Sequence, residues 1–190
     1  MSRPREVLGG GVAGPREPSY YPGMKSVLES NVYAAPALVL GLSAAVVGSA
    51  LISQHWGGLD PCILCYYQRY PWYASIALMA LALGLAKLRC VRAALLGMVA
   101  ALLIANVGIA VYHVGVEHKL FDGPASCASG TITGGTVDAL RAQLTGRKVV
   151  RCDEPAFTLF GVSMAGYNLL ASAAVALIAL RLALRGRSAR

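Results

Sequence analysis

Four apolar stretches, each long enough to cross a lipid bilayer, constrain this chain more than any other feature. A spanning helix needs about 20 mostly apolar residues. The stretches run from about Tyr33 to Ser53, Tyr70 to Ala86, Ala93 to Gly115 and Phe160 to Leu184. None carries the charged outer stripe of a soluble helix, and only the last holds a charge, near its end. The sequence therefore predicts an all-α membrane protein, a bundle of four transmembrane helices.

The composition agrees with this prediction. Only 14% of the 190 residues are charged and 56% are hydrophobic, whereas soluble domains average about 25% charged residues. These values exclude an ordinary soluble enzyme. The net charge of +8 does not indicate a nucleic-acid binder, because the position of the charges has another explanation.

The basic residues are distributed unequally and thereby predict an orientation. Eleven Lys and Arg lie in residues 1–32, in the connection 87–92 and at the end 181–190. The two remaining loops hold six basic and six acidic residues, so their net charge is zero. Cytoplasmic segments of membrane proteins carry the excess of Lys and Arg. We therefore expect both termini and the short middle connection to be cytoplasmic.

This orientation predicts the organisation of the chain. Residues 1–32, rich in Gly and Pro, would form a flexible cytoplasmic tail. Residues 33–184 would form the membrane domain, with outer loops at about 54–69 and 116–159. Residues 185–190 would form a basic cytoplasmic end.

The predicted orientation also sorts the five cysteines. Cys62 and Cys65 form a C-x-x-C motif at the outer end of the second span, and Cys127 and Cys152 lie in the long outer loop. Cys90 lies on the cytoplasmic side, where thiols stay reduced. Two outer pairs are therefore available for disulfide chemistry, and Cys90 is predicted to be a passive thiol.

The C-x-x-C motif has several interpretations. A c-type haem site would need His directly after it, where the chain has Tyr66. A four-ligand zinc site and a purely structural disulfide remain alternatives. We favour a redox-active pair. Pro61 and the helix that begins close to it indicate that the two cysteines face the free N–H groups of a helix N-terminus. Such groups lower the pKa of a thiol. Arg69 adds a cation one turn after Cys65, although a headgroup anchor is its simpler interpretation.

The disulfide-bond formation protein B (DsbB) family has a signature that this chain resembles in residues 61–69, PCILCYYQR: P-C-x-L-C and a basic residue four positions later. A second resemblance is Cys152, followed by Phe157 and by residues 160–168, FGVSMAGYN. Four spans with two outer cysteine pairs are the third. Together they cover about residues 33–184.

The resemblance implies a bacterial inner-membrane enzyme that reoxidises a soluble periplasmic thiol oxidase of the DsbA type and passes the electrons to ubiquinone or menaquinone. Cys62 and Cys65 would exchange electrons with the quinone, and Cys65 would contact its ring. The partner would attack Cys127, with Cys152 as the resolving thiol, and Arg69 would support quinone binding. The implied partners are this oxidase, the membrane quinone pool and the lipid bilayer, with no metal and no nucleic acid.

Two features of the sequence depart from a simple match to the family. His113 and His118 both lie near where the family has a histidine, and the sequence leaves open which of them corresponds. Gln68 occupies a position where some members have an acidic residue.

In the long loop, residues 136–148 carry apolar side chains at helical spacing and predict a short amphipathic helix on the membrane surface.

Two other functions remain as alternatives. A quinone reductase of the vitamin K epoxide reductase type also pairs C-x-x-C with loop cysteines, but the motif is expected there near a late span, whereas here it opens the second. A non-enzymatic haem electron-transfer bundle would use His55, His113 and His118. It would need paired histidines at two depths, and all three lie near the outer rim.

Overall fold

The computed structural model describes residues 32–124 and 151–188. These ranges contain four long helices: α1 (Ala34–His55), α2 (Ile63–Gly84), α3 (Arg89–Glu117) and α4 (Met164–Ser188). A two-stranded antiparallel hairpin directly precedes α4 and consists of β1 (Thr158–Leu159) and β2 (Val162–Ser163).

Three of these helices are long and apolar enough to cross a membrane: α1, α3 and the Met164–Gly186 part of α4. Helix α2 has the length, but its first half carries Gln68, Arg69 and several tyrosines. Tyrosine is enriched where helices pass the headgroup region. The all-helical prediction is thus confirmed, while the prediction of a span holds for three of the described helices. The helix predicted at 136–148 lies outside the described residues.

The four helices share one apolar core. Side chains with almost no exposed surface come from each of them, including Val39, Trp72, Leu103 and Ala179. Many other buried positions hold alanine, as at Ala82, Ala93, Ala100, Ala176 and Ala183. Small residues let helix backbones approach closely, which is the usual basis of helix association in membranes.

The last helix begins later than the sequence predicts. Phe160, the predicted first residue of the fourth span, instead forms the hairpin turn with Gly161, with φ values of 50° and 78°. Two-residue hairpin turns of this kind need a positive φ at both central residues, which a right-handed helix excludes. The helix begins at Met164, where Ser163 Oγ caps it by accepting the backbone N–H of Gly166 at 3.1 Å.

Short connections bring particular helix ends together. Residues 56–62 join α1 to α2, and residues 85–88 join α2 to α3, so consecutive helices run antiparallel. The end of α3 therefore returns to the start of α2. Cys90, in the first turn of α3, is separated from His113 by about 35 Å of helix.

Candidate functional site

A pair of free thiols opens α2. Cys62 is the N-cap residue and Cys65 lies in the first turn, with their Sγ atoms 3.2 Å apart. The Cys62 sulfur also accepts the backbone N–H of Cys65 at 3.4 Å. A sulfur in this position meets unpaired N–H groups and the positive end of the helix dipole, which favour a thiolate. Hydrogen bonding by the Cys65 thiol, opposed by burial and assisted by His113, holds the pKa of Cys62 well below that of an ordinary thiol.

His113 of α3 lies against this pair. Its Nε2 is 3.5 Å from Cys62 Sγ, and the residue is only 2% exposed. Glu117, one turn further along α3, has Oε1 at 4.0 Å from the same nitrogen, and its other oxygen accepts from Ser163 Oγ. The other predicted histidine, His118, is the C-cap residue of α3; it is exposed and lies outside the cavity wall described next.

A cavity of about 280 Å³ lies beside the thiol pair. Cys62, Cys65, Arg69 and His113 all contribute to its wall. Much of the remaining wall is apolar and includes Val46, Val47, Ala50, Trp72, Ala165 and Ala171. Small-molecule sites typically combine an apolar wall with a few placed polar groups. This cavity therefore suits a small, mainly apolar molecule with few polar atoms.

Arg69 is held at the cavity by the end of α1. Its Nη1 donates to Gln54 Oε1 at 2.6 Å and its Nη2 donates to the Ala50 carbonyl at 3.4 Å. The guanidinium also lies over the Tyr66 ring, 5.4 Å from the ring centroid. A guanidinium has five N–H donors, so these contacts position the cation and leave donors for a bound molecule.

The long loop brings one of its cysteines to the same end of the bundle. Cys152 is disulfide-bonded and 1% exposed. It shares a buried cluster with Cys62, Leu64 and Val116. Cys127, the predicted point of attack by the partner, lies outside the described residues.

Three of these groups also meet the geometric requirement for a metal ion. Within the described ranges, Cys62, Cys65 and His113 place their ligand atoms within 4.8 Å of one another. Thiolates and imidazole are ligands that zinc accepts. A metal would need an unprotonated Nε2 on His113. A proton on that nitrogen would therefore exclude metal binding by His113 and leave the two cysteines to thiol chemistry.

Three further polar residues, one buried and two partly buried, belong to the site, although sequence reasoning did not assign them to it. Glu117 is the carboxylate beside His113, and Gln68 has its Nε2 3.1 Å from His113 Nδ1. Asn168 of α4 in turn donates to Gln68 Oε1 at 2.8 Å. Polar residues inside apolar helices are functional candidates by default, and this signal was available for Gln68 and Asn168.

These parts define a class of protein. A helical membrane protein with a thiol pair at a helix N-terminus, a buried imidazole and an adjoining cavity has the components of a membrane thiol oxidoreductase. The family described as "Disulfide bond formation protein DsbB" matches residues 33–182, and the chain belongs to this family. Membership confirms the resemblance of the sequence motifs and indicates a disulfide-forming membrane oxidoreductase.

Individual relatives cover the chain unequally. An uncharacterised protein of Rickettsia prowazekii (strain Madrid E) is 25% identical over 135 residues, which cover 70% of this chain and 77% of that protein. The disulfide bond formation protein B of Aromatoleum aromaticum (strain EbN1) is 43% identical over 61 residues, which cover 30% of this chain and 36% of that protein. No solved structure matches the chain significantly.

Proposed function

We propose that the chain is a protein-dithiol:quinone oxidoreductase. In this function it reoxidises a soluble periplasmic thiol oxidase of the DsbA type and transfers the electrons to ubiquinone or menaquinone. The observation that carries the proposal is that Cys62 and Cys65 open onto the same cavity as Arg69. Family membership supports the thiol chemistry, and the cavity offers a place where electrons can leave the thiols.

The cavity fits a quinone ring in size and in chemistry. Its volume of about 280 Å³ is close to the lower end of small-molecule sites, about 300 Å³. A quinone presents an apolar ring and two carbonyl acceptors, and it supplies a two-electron oxidation when bound. Arg69 has donors for one carbonyl, and Cys65 lies one turn earlier in the same wall.

Thiol–disulfide exchange brings the electrons into the protein. Cys152 is disulfide-bonded whereas Cys62, Cys65 and Cys90 are free, which supports Cys127 as its partner. A thiolate of the reduced oxidase attacks Cys127, and Cys152 leaves as a thiolate. The second thiol of the oxidase then displaces Cys127. The oxidase leaves with a disulfide, and the loop pair has gained two electrons.

A second exchange passes these electrons to the inner pair. Cys152 is suited to attack the Cys62–Cys65 disulfide because it is buried in the same cluster as Cys62. The loop disulfide forms again and the inner pair becomes a dithiol. Oxidation of this dithiol by bound quinone, which takes up two electrons and two protons, restores the inner disulfide.

The orientation belongs to the same proposal. Helix α2 runs between α1 and α3, which are both apolar enough to cross a membrane, so α2 serves as a fourth span. The basic residues of segment 87–92 then face the cytoplasm of a bacterial inner membrane, together with both termini. Cys62, Cys65 and the loop cysteines face the periplasm, where disulfides persist.

The direct test follows the thiols of the reduced protein, carrying Cys90→Ser, in quinone-free lipid nanodiscs. A soluble short-chain quinone is added, and the thiols of Cys62 and Cys65 are counted by alkylation and mass spectrometry. We expect both thiols to disappear only when quinone is present, and a reduced thiol oxidase to sustain quinol formation. Cys65→Ser is the matched control, and we expect it to form no quinol. Persistence of both thiols in the presence of quinone would refute the proposal.

A further inference from the structure

A continuous string of side chains connects three helices to the reactive sulfur. Trp72 Nε1 donates to Asn168 Oδ1 at 2.8 Å, and Asn168 Nδ2 donates to Gln68 Oε1 at 2.8 Å. Gln68 Nε2 lies 3.1 Å from His113 Nδ1, and His113 Nε2 lies 3.5 Å from Cys62 Sγ. Trp72, Gln68 and His113 are at most 4% exposed.

The direction of these hydrogen bonds follows from one residue that can only donate. An indole N–H has no acceptor function, so Trp72 requires the oxygen of Asn168 on its side. The amide nitrogen of Asn168 then faces Gln68, which must present its oxygen to Asn168 and its own nitrogen to His113. Nδ1 of His113 therefore accepts a hydrogen bond, and the proton of the neutral ring lies on Nε2.

We propose that Trp72, Asn168 and Gln68 form a positioning relay that holds neutral His113 in the Nε2–H tautomer, with this N–H directed at the Cys62 sulfur. The proposal rests on the proposed function only in giving the sulfur a role in thiol exchange. A donor at this sulfur stabilises the thiolate, which is the form that attacks or leaves a disulfide. It also excludes His113 as a metal ligand, because Nε2 then has no free lone pair.

Charged and titratable groups surround this contact on several sides. Cys65 and Arg69 come from α2, and Glu117 comes from α3. Further groups line the cavity from the adjoining loops: Asp60, Arg151 and Glu154. Glu117 would be the ion-pair partner of a protonated ring, but its Oε1 at 4.0 Å is farther from Nε2 than Cys62 Sγ is. The neutral ring therefore directs its N–H at the sulfur.

The test uses the reduced protein with Cys90→Ser, without quinone or thiol oxidase. Only three histidines are present, so ¹⁵N-histidine NMR resolves their tautomers, and His113→Gln assigns the signal. We expect the Nε2–H form at neutral pH. In Gln68→Met, which keeps the volume but deletes the donor, we expect mixed tautomers. Asn168→Asp cannot donate to Gln68, and we expect it to turn the Gln68 amide and favour Nδ1–H.

A second measurement reports the effect on the sulfur. The pH profile of Cys62 alkylation, read by mass spectrometry, should move upward in Gln68→Met. Complete replacement of the Nε2–H form would slow alkylation below the midpoint by about tenfold, as expected for losing a hydrogen bond to a charged group, and the mixed tautomers of Gln68→Met should give a smaller shift in the same direction. Ser75→Ala is the matched control, because Ser75 is also buried in α2 and the change removes its hydrogen bond to the Pro71 carbonyl at 2.7 Å. We expect this control to change neither readout.

Two outcomes would overturn the relay: an Nδ1–H or doubly protonated His113 in the unsubstituted protein, or an unchanged tautomer in Gln68→Met. If Gln68→Met does not fold, Trp72→Phe replaces it, since this change deletes only the first donor of the string. An unchanged tautomer there would equally overturn the relay. Because neither readout uses quinone, a failure of quinone reduction would refute the proposed function and leave this result standing.

Discussion

Replacing Arg69 by Gln tests the cavity as a quinone site. The change keeps a polar side chain but removes the charge and the fork of donors. The guanidinium is fixed by Gln54 at 2.6 Å and by the Ala50 carbonyl at 3.4 Å, and it lies in the cavity wall one turn after Cys65. The substitution should therefore act on the molecule bound in the cavity, and not on the loop disulfide, because Cys152 does not line the cavity.

The expected magnitude follows from the hydrogen bond that is lost. A hydrogen bond from a charged donor contributes about 1.5–3 kcal/mol, and about 1.4 kcal/mol corresponds to a tenfold change in an equilibrium. We expect Arg69→Gln to raise the apparent KM for a short-chain quinone by about 10- to 100-fold. Arg69→Lys keeps the charge without the fork and should give an intermediate value. The rate of exchange with the thiol oxidase should stay unchanged.

Steady-state kinetics of quinol formation, with quinone and oxidase varied separately, measure both effects. Arg151→Gln is the matched control, because Arg151 also lines the cavity but is paired with Asp153 at 2.7 Å and is half exposed. Gln54→Leu keeps the charge of Arg69 and removes one of its anchors, so it should raise the KM for quinone only slightly. An unchanged KM in Arg69→Gln would refute the reasoning and leave Arg69 as a headgroup anchor.

Three further predictions concern the cysteines. Cys62→Ser and Cys65→Ser should each abolish quinone-dependent thiol oxidation and Cys90→Ser should not; full activity of Cys65→Ser would contradict its quinone-facing role. Cys152→Ser leaves Cys127 as a free thiol that attacks the disulfide of the oxidised thiol oxidase, so a covalent complex through Cys127 should accumulate on non-reducing gels; trapping by Cys127→Ser instead would reverse the two roles. Because the pKa of Cys62 is lowered, its alkylation rate should be nearly constant between about pH 6 and 8. An ordinary thiol, with a pKa of about 8.5, reacts about tenfold faster for each pH unit in this range. An equally steep rise of the alkylation rate of Cys62 would contradict the lowered pKa.

Much of the helical architecture could be predicted from the sequence because bilayer thickness requires long apolar segments. The first predicted span, 33–53, differs from helix α1 by one or two residues at each end. The predicted start of the fourth span at Phe160 was wrong, because the helix begins at Met164. Apolarity does not reveal a turn, and Phe160 is as apolar as the helix that follows. Gly161, which tolerates the positive φ of that turn, was the available sign of an interruption.

The partners of the cysteines could not be predicted with the same certainty, because they depend on how helices rotate against one another. His113 and His118 are five residues apart on one helix, and five residues turn a helix by more than one full turn. Their side chains therefore point in different directions, and packing places His113 against Cys62 and leaves His118 exposed. No sequence pattern specifies that rotation.

The proposed chemistry gives a reason for the way charge is distributed around the site. When Cys62 is a thiolate, its sulfur accepts from groups without formal charge: the helix N–H of Cys65, the Cys65 thiol and, in the proposed tautomer, the His113 imidazole. A thiolate held in this way needs no ion pair, so the cation Arg69 remains available for an acceptor in the cavity. Placing a charge near an apolar membrane interior costs free energy. One cation that serves the acceptor therefore costs less free energy than separate cations for the thiolate and the quinone. The relay through Gln68 fits this arrangement, since an amide orients His113 without adding charge, whereas a carboxylate at that position would favour the protonated ring.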